Sequence, residues 1–306
     1  MRKRVFQKTQ KEHALKIERA KAAAQRRAEA ALSIDEISRA QSAYANAVFS
    51  NTNDANHDRI VESARLTYQN ALKKYGFDEK EFEYRPICPI CNDTGSVNGK
   101  PCKCIFDEYI ANLKKACDVD ARAKFSFADC DLEKVKDEAQ RKSLATLYAA
   151  MQKYVEKFPK SECSTIVFSG GVGTGKTCLA SAIARAVVEK GYAAKIMSAY
   201  EFNSLMLKIH TSPIAERNAL IHDVITADLL LIDDLGTEPM LKNVTVEYLL
   251  LVIEERQTKG RATVITTNLD TDGILFRYGE RIYSRLSHKQ HSKIIEMNGK
   301  DLRINR

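Results

Sequence analysis

Residues 170–177 read G-G-V-G-T-G-K-T, a glycine-rich run that ends in a lysine and a hydroxyl side chain. A polyphosphate is highly charged, so a loop binds it only where backbone N–H groups point inward and no side chain blocks the approach. Glycines permit that geometry, a lysine can reach the β and γ phosphates, and a threonine hydroxyl can coordinate Mg²⁺. We therefore expect ATP and Mg²⁺ here. The residues expected to bind the nucleotide are Gly170, Gly171, Val172, Gly173, Thr174, Gly175, Lys176, Thr177 and Cys178.

A pair of carboxylates follows the loop. The run L-L-L-I-D-D-L-G at 229–236 is a hydrophobic strand that ends in Asp233 and Asp234, and it places the first of them 57 residues after Lys176. We expect Asp233 to hold Mg²⁺ through water, together with Thr177, and Asp234 to orient and deprotonate the attacking water. The alternative is an acidic pair that only caps the following loop.

Three more polar side chains fit a pattern found in AAA+ ATPases. The run T-V-I-T-T-N ends a strand in Asn268, which matches the position of their first sensor and could hold the water against the γ phosphate. The same pattern places an arginine finger, often supplied by a neighbouring subunit, after that strand. Arg281 and Arg285 are the candidates, and we favour Arg285, although either could be an ordinary helix-surface arginine. Arg303, just after the last strand, could sense the nucleotide.

Four of the eight cysteines are clustered as C-x2-C-x10-C-x-C, with glycines and prolines between them. Two close pairs on tight turns can supply the four soft ligands of tetrahedral zinc, and four thiolates leave no open position for catalysis. We expect a structural zinc site, with an iron–sulfur cluster or a redox dithiol as alternatives. The expected ligands are Cys88, Cys91, Cys102 and Cys104. The other cysteines, Cys117, Cys130, Cys163 and Cys178, are interpreted as small core residues.

Length and charge bound the remaining possibilities. A chain of 306 residues with 44% hydrophobic content can form about two domains with a sizeable core. The net charge of +8 is concentrated in residues 1–31, which hold ten Lys and Arg against three Glu, so attraction to nucleic acid would lie mainly there. The alternative is a basic helix that is exposed to solvent and binds no nucleic acid. No apolar run approaches the roughly 18 residues of a membrane span, and we expect a cytoplasmic protein without a membrane partner.

The elements that must position these residues change in character along the chain. Residues 1–84 are predicted to be helical, with S-I-D-E at 33–36 as a capping box for a second helix. Residues 85–120 are predicted to form a zinc-binding module. In residues 121–306, strands near 165–169, 194–198, 229–233, 263–267 and 293–297 alternate with helices, which predicts an α/β core with a parallel sheet between helices.

The motifs together resemble bacterial and phage helicase loaders of the DnaC/DnaI type and the related IstB-like transposition helper ATPases. The resemblance covers about residues 125–306 through F-S-F-A-D, G-G-V-G-T-G-K-T, L-L-L-I-D-D-L-G, T-T-N, S-R-L and G-K-D-L-R. The cysteine segment C-P-I-C-N-D-T-G is similar to the zinc module of Gram-positive and phage members. The resemblance implies an AAA+ P-loop core without a C-terminal helical lid.

The resemblance also implies a function. Such loaders use ATP and single-stranded DNA binding to place a hexameric replicative helicase on DNA, and they dock on it through their N-terminal region. We accordingly expect a slow ATPase stimulated by partner or DNA, which associates with itself through the arginine finger. The alternatives are a transposition helper that marks DNA for a transposase and a DNA-binding adaptor whose ATP hydrolysis is incidental.

Overall fold

The computed structural model describes residues 1–50, 56–130, 132–160 and 163–303. The chain divides into two compact units, one formed by Met1–Gln7 with Tyr109–Arg306 and the other by Lys8–Glu108. The helices are α1 (Arg2–Leu32), α2 (Asp35–Phe49), α3 (His57–Lys74), α4 (Lys103–Ala116), α5 (Val119–Arg122), α6 (Glu138–Lys157), α7 (Lys176–Glu189), α8 (Ala199–Thr211), α9 (Ile214–Thr226), α10 (Thr245–Thr258) and α11 (Thr271–Leu286). Short 3₁₀ helices span Glu79–Glu81, Phe127–Asp129 and Leu132–Lys134.

The larger unit is built on a five-stranded parallel sheet. The strands of the chain are β1 (Ser96–Val97), β2 (Lys100–Pro101), β3 (Thr165–Ser169), β4 (Ala194–Ser198), β5 (Leu229–Leu235), β6 (Ala262–Thr267) and β7 (Ser292–Glu296). The last five form the sheet, in the order β4-β5-β6-β3-β7. Because parallel strands end at the same edge, the sheet brings the residues after β3, β5 and β6 together.

Side chains alternate between the two faces of this sheet, as the pleat requires. Ile166 and Phe168 of β3 pack with α6 and α7 on one face, whereas Val167 packs with α8, α10 and α11 on the other. Both faces are covered, so the strands are continuous apolar runs, as expected of a parallel sheet. The predicted α/β fold class, a parallel sheet between helices preceded by a helical region with a four-cysteine cluster, is confirmed.

A buried arginine ties one side of the sheet together. Arg256 of α10 is fully buried and donates hydrogen bonds to the backbone carbonyls of Val224, Ala227 and Ala262. Its Nε also donates to the Thr263 hydroxyl at 3.0 Å. Burial lowers the pKa of this guanidinium to about 9. The side chain therefore satisfies carbonyl groups at the ends of α9 and at the start of β6 that would otherwise lack a partner.

The smaller unit has a small hydrophobic core between helices α1, α2 and α3, formed by Ala31, Ile37, Tyr68, Ala71 and Leu72. The predicted capping box before α2 is wrong, because the N-cap position is Ile34 and makes no side-chain cap hydrogen bond. The Ser33 hydroxyl instead donates to the carbonyl of Ala30 at 2.7 Å. In the described part of the chain, no helix combines the length and the apolar character needed to span a membrane.

Candidate functional site

The glycine-rich loop connects β3 to α7, which begins at Lys176. Gly170, Gly173 and Gly175 have φ values of +139°, +76° and +99°, which side-chain-bearing residues rarely adopt. A Cβ atom on Gly170 would lie 2.3 Å from the carbonyl oxygen of Met297. Helix α7 then directs its first N–H groups, which lack partners within the helix, toward the loop. The loop therefore has the conformation and the dipole that a phosphate group needs.

Lys176 lies within this loop. Its side chain is 5% exposed, and its Nζ donates hydrogen bonds to the carbonyls of Gly170 at 2.8 Å and Gly171 at 2.6 Å. Burial lowers the pKa of the ammonium group, although the nearby carboxylates of Asp234 and Asp233 oppose that effect. The fold thus holds a cation between the loop and the acidic pair.

The acidic pair ends β5 next to the start of α7. The Thr177 hydroxyl donates to Asp233 Oδ1 at 3.0 Å, and the Thr266 hydroxyl donates to the same oxygen at 2.6 Å. Burial raises the pKa of Asp233, while these two hydroxyl groups lower it. Asp234 follows with φ +56°, and its backbone N–H donates to the Thr266 hydroxyl. A hydroxyl and a carboxylate in contact form the oxygen donor set that Mg²⁺ prefers.

A single cavity of about 550 Å³ contains most of the predicted nucleotide residues. Its volume falls in the range typical of small-molecule sites. The predicted residues that line it are Val172, Gly173, Thr174, Gly175, Lys176, Thr177, Cys178, Asp233, Asp234, Asn268 and Arg303. Gly170 and Gly171 lie beside it as the acceptors for Lys176. The structure therefore brings together the loop, the acidic pair and two of the three further polar side chains.

Apolar and aromatic side chains also line the cavity, and sequence reasoning missed them. These lining residues are Phe125, Leu132, Val135, Leu144, Tyr148 and Leu302. They come from the segment before the core, from α6 and from the chain after β7, so no single sequence pattern joins them. Of these segments, only F-S-F-A-D at 125–129 belongs to a motif that the sequence analysis quoted. A site with a cationic loop and an apolar lining suits a ligand with phosphates and a planar base.

The chain after β7 packs onto the glycine-rich loop. The N–H of Met297 donates to the carbonyl of Ser169 at 2.7 Å, and that of Leu302 donates to the carbonyl of Gly173 at 3.0 Å. A Cβ atom on Gly173 would overlap the Asp301 carboxylate. These contacts put Arg303 at the cavity, where its charge contributes to the lowered pKa of Lys176.

Arg285 lies elsewhere. It is not among the cavity-lining residues in the described part of the chain, and its guanidinium pairs with Glu254 at 2.9 Å. Both residues line a separate shallow depression with Gln257, Thr258 and His291. Arg281, the alternative, is an exposed residue of the same helix. Within one chain, neither arginine contributes to the nucleotide cavity.

Two of the cysteines interpreted as scattered core residues also line the cavity. Cys130 and Cys178 are partly exposed, and their sulfur atoms are 2.9 Å apart. Cys130 packs against the hydrophobic core, as interpreted, but the sequence did not indicate that its sulfur would meet that of Cys178 at the start of α7. The hydrogen bond with Cys178 lowers the pKa of the Cys130 thiol to about 7.

In the smaller unit, the sulfur atoms of Cys88, Cys91, Cys102 and Cys104 lie within 4.8 Å of one another. Zn–S bonds of about 2.3 Å in a tetrahedron separate the sulfurs by about 3.8 Å. The structure has 3.9 Å between Cys88 and Cys102 and 3.6 Å between Cys91 and Cys104. The donor set and its spacing therefore fit tetrahedral zinc.

Tight turns hold these cysteines in position. Asn98 and Gly99, with φ +51° and +75°, join β1 to β2 in a two-residue hairpin that ends at Cys102. The Asp93 carboxylate accepts hydrogen bonds from the N–H groups of Ile87 and Cys88, both at 2.8 Å. Hydrogen bonds from the backbone also lower the pKa of Cys88 to about 7. The backbone hydrogen bonds therefore favour the thiolate at Cys88, the form that binds zinc, whereas burial raises the pKa of Cys104.

Comparison with known proteins identifies relatives of the larger unit. A family described as IstB-like ATP binding protein matches residues 111–306. The replicative helicase loader DnaC of Buchnera aphidicola subsp. Acyrthosiphon pisum is 32% identical over 166 residues, covering 52% of this chain and 64% of that protein. DnaC of Escherichia coli K12 is 28% identical over 160 residues, covering 52% of this chain and 63% of that protein. The chain thus spans slightly less than two thirds of the length of these relatives.

Solved structures were compared as well. The crystal structure of DnaI superposes with a TM-score of 0.46 at 19% identity, covering 59% of this chain and 91% of that chain. The family match, by contrast, extends over more than half of the chain and includes the glycine-rich loop, the acidic pair and Asn268. It confirms the resemblance drawn from these motifs. The protein belongs to the IstB-like ATP-binding family.

Proposed function

We propose that this protein is an ATP-dependent loader of a hexameric replicative DNA helicase, acting in the initiation of DNA replication. In this proposal it binds ATP, Mg²⁺ and single-stranded DNA, and it hydrolyses ATP slowly until the helicase or DNA stimulates it. The nucleotide part is carried by one observation, the contact of Thr177 with Asp233 beside the loop that holds Lys176. The helicase part is supported by the names of the DnaC relatives.

The polar residues predicted from the motifs then have the following roles. Lys176 and the loop N–H groups bind the phosphates, while Thr177 and, through water, Asp233 hold Mg²⁺. The ion, when bound, neutralises charge on the phosphate oxygens. Asp234 accepts the proton of the attacking water, and Asn268 holds that water in line with the γ phosphate. The apolar side chains that line the cavity contact the base.

The two arginines act differently. Arg303 senses the nucleotide from within the chain, since it lines the same cavity. Arg285 serves a neighbouring copy, where it stabilises the charge that develops on the γ phosphate. Its ion pair with Glu254 is partly exposed and is therefore weak enough to be exchanged on assembly. Self-association would thus complete the hydrolytic site.

The proposed role of the N-terminal part of the chain is to bind the helicase. Residues 1–84 would dock on the helicase, and residues 85–120 would form a module folded by zinc, with residues 121–306 as the ATPase domain. A closed four-thiolate site has no position for a substrate, so the proposed role of zinc is structural. The basic residues of the first 31 positions would add electrostatic attraction to DNA.

The description of the family favours a second candidate, a transposition helper of the IstB type that marks DNA for a transposase. Both candidates need ATP and DNA, so only the protein partner separates them. The full-length protein would be immobilised and offered the purified replicative helicase of its host, with and without ATP. Capture supports the loader, and failure to capture the helicase under either condition contradicts it.

Two further measurements refine that experiment. Cross-linking the captured complex should join lysines of residues 1–84 to the helicase, and cross-links only from residues 85–306 would contradict N-terminal docking. Asp234→Asn should retain ATP binding and slow turnover by about 10²-fold or more, because it removes the general base. The exposed Asp272→Asn is the matched control, and equal turnover in both variants would exclude Asp234 as the base.

A further inference from the structure

The nucleotide cavity contains a pair of thiols for which the proposed ATPase reaction has no use. The sulfur of Cys178 lies 2.9 Å from that of Cys130, although the two residues are 48 positions apart in the sequence. A disulfide requires about 2.05 Å between the sulfurs, so the atoms must approach each other by less than about 1 Å. Both side chains are partly exposed and line the cavity, which gives a small solute access to them.

The two cysteines belong to different segments that meet at the cavity. Cys178 is the third residue of α7 and directly follows the Thr177 proposed to bind Mg²⁺. Cys130 ends the Phe127–Asp129 helix, whose capping box is closed by hydrogen bonds of Ser126 with Asp129. The glycine-rich loop and the segment with Phe125 and Leu132 both line the cavity. A covalent bond at this point would join these two segments.

We propose that Cys130 and Cys178 form an oxidisable pair, a modification site at which a peroxide converts the two thiols to a disulfide and thereby weakens nucleotide binding in the cavity that they line. The expected loss of affinity rests on the proposed nucleotide binding. The formation of the disulfide does not depend on that proposal. Cys88, Cys91, Cys102 and Cys104 are separate, because zinc would hold their sulfurs as ligands.

The reaction has two balanced steps. The Cys130 thiolate attacks one oxygen of the peroxide, so that an S–O bond forms, the O–O bond breaks and hydroxide leaves, taking up a proton to become water. The Cys178 sulfur then attacks the resulting sulfenic acid, so that the S–S bond forms, the S–O bond breaks and a second water leaves with the Cys178 proton. Two thiols lose two electrons, and the peroxide gains them. A dithiol reductant reverses the change by thiol–disulfide exchange.

Either sulfur can donate in the 2.9 Å contact, so the formation of the disulfide does not depend on which sulfur attacks the peroxide first. The contact lowers the pKa of Cys130 to about 7, which favours Cys130 as the attacking thiolate and Cys178 as the resolving thiol. The Cys130 thiol also donates to the carbonyl oxygen of Ser126 at 3.4 Å, a hydrogen bond that a thiolate cannot make.

The disulfide should weaken nucleotide binding. The bond draws together Cys178, which directly follows Thr177 at the start of α7, and Cys130, and it fixes the segment with Phe125 and Leu132 against the loop. We expect oxidation to lower the affinity for a non-hydrolysable ATP analogue by about tenfold or more, and a dithiol to restore it. Other modifications of exposed residues would not be reversed in this way.

The experiment treats the full-length, zinc-loaded protein with hydrogen peroxide and divides the sample. One half is digested with trypsin without reduction, and mass spectrometry is used to find residues 125–134 linked to residues 177–185. The other half is titrated with the ATP analogue before and after dithiothreitol. Zinc release is followed in parallel, so that oxidation of the zinc cysteines is measured separately.

Matched variants complete the design. In Cys130→Ser and in Cys178→Ala the linked peptide should be absent, and the ratio of the affinities before and after peroxide should be close to one. Cys163→Ser, which alters a partly buried cysteine bonded to the Thr165 carbonyl, should respond like the wild type. Absence of the linked peptide from the wild type overturns the proposal, and so does a linked peptide with unchanged affinity. Failure of the reduced wild type to bind the analogue would instead overturn the proposed nucleotide site, while the linked peptide still reports on the pair.

Discussion

The nucleotide cavity and the four-cysteine site are supported in different ways. The cavity lies at the edge of a sheet whose strands are buried on both faces by two hydrophobic clusters. The cysteine cluster packs only with Val97 among the hydrophobic residues described. A hydrophobic core can hold side chains in position without any ligand, whereas a short loop segment cannot bury enough apolar surface to do so. We therefore expect the first site to be shaped by the fold alone, and the second to depend on the zinc ion that its four thiols would bind.

The largest expected effect follows from removing that metal. Binding of a structural zinc ion contributes about 10–16 kcal/mol of apparent free energy in small zinc modules, and here it would be the main support of residues 88–104. We expect Cys91→Ser to lose stoichiometric zinc and to expose the N–H groups of Cys88 and Cys102 to hydrogen exchange. The amides of β3 and β5 should remain protected.

Cys163→Ser is the control, because Cys163 lies outside the cluster. It should retain one zinc ion per chain and unchanged exchange at Cys88. Cys91→Ser could instead lose all of its zinc and still protect the amides of residues 88–104 from hydrogen exchange. That result would contradict the expected dependence of this segment on zinc, since the segment would then be held by its own contacts.

The second prediction concerns a substitution that destabilises the larger unit and leaves the zinc site unchanged. Replacing Arg256 by Leu leaves the carbonyls of Val224, Ala227 and Ala262 without their donor inside the protein. Unsatisfied buried polar groups cost about 1–3 kcal/mol each, and relaxation offsets part of that sum. We expect the free energy of unfolding of this unit to fall by about 3–4 kcal/mol, measured by urea denaturation, with zinc content unchanged.

Lys259→Leu is the matched control for Arg256→Leu. Lys259 lies one turn from Arg256 at the end of the same helix, and its exposed ion pair with Glu255 contributes about 0.5 kcal/mol at most. Equal destabilisation by both changes would show that the buried hydrogen bonds of Arg256 contribute nothing specific.

A smaller effect is expected from a change to the site itself. Lys176→Ala removes the cation held against the loop carbonyls but leaves the sheet intact. We expect ATP affinity to fall about 100-fold, equivalent to about 2.7 kcal/mol, as measured by titration with a fluorescent ATP analogue. The free energy of unfolding without nucleotide should change by less than about 1 kcal/mol. Wild-type affinity in this variant, with Lys259→Ala as the reference, would exclude Lys176 as a phosphate ligand.

Local patterns account for how much of this molecule could be predicted. The predicted strands at 165–169 and 194–198 have the observed bounds, because each is a short β-rich run with clear ends. The glycine-rich loop and the acidic pair are also contiguous in sequence, and their roles stay predictions for the experiments above. The residues missed, such as Leu144 and Tyr148 in the apolar lining of the cavity, come together only through packing of distant segments.

One wrong prediction and one contact that the sequence did not indicate have related causes. S-I-D-E at 33–36 has the composition of a capping box, but the serine hydroxyl bonds the preceding turn instead, since short polar side chains have several local carbonyls within reach. Cys130 and Cys178 look unrelated in sequence because they are 48 residues apart, and only the fold of the segment before α6 against α7 makes them neighbours. A single sequence does not indicate contacts between residues that are so far apart along the chain.

The smallest expected effect concerns a capping box that the fold does form. Glu201 accepts hydrogen bonds from the Ser198 backbone N–H and from Arg122, and these partners lower the pKa of its carboxyl. A lowered pKa stabilises the folded protein above the pKa of the unfolded state, and this stabilisation is lost as pH falls through the folded pKa. Glu201→Gln should therefore reduce the free energy of unfolding by about 0.5–1 kcal/mol near pH 7, a small effect because solvent screens the pair.

Urea denaturation at a series of pH values should show the difference shrinking toward zero as the wild-type carboxyl is protonated, while the exposed Glu280→Gln should show little difference at any pH. A constant difference across the acid range would mean that Glu201 acts through packing and not through its charge.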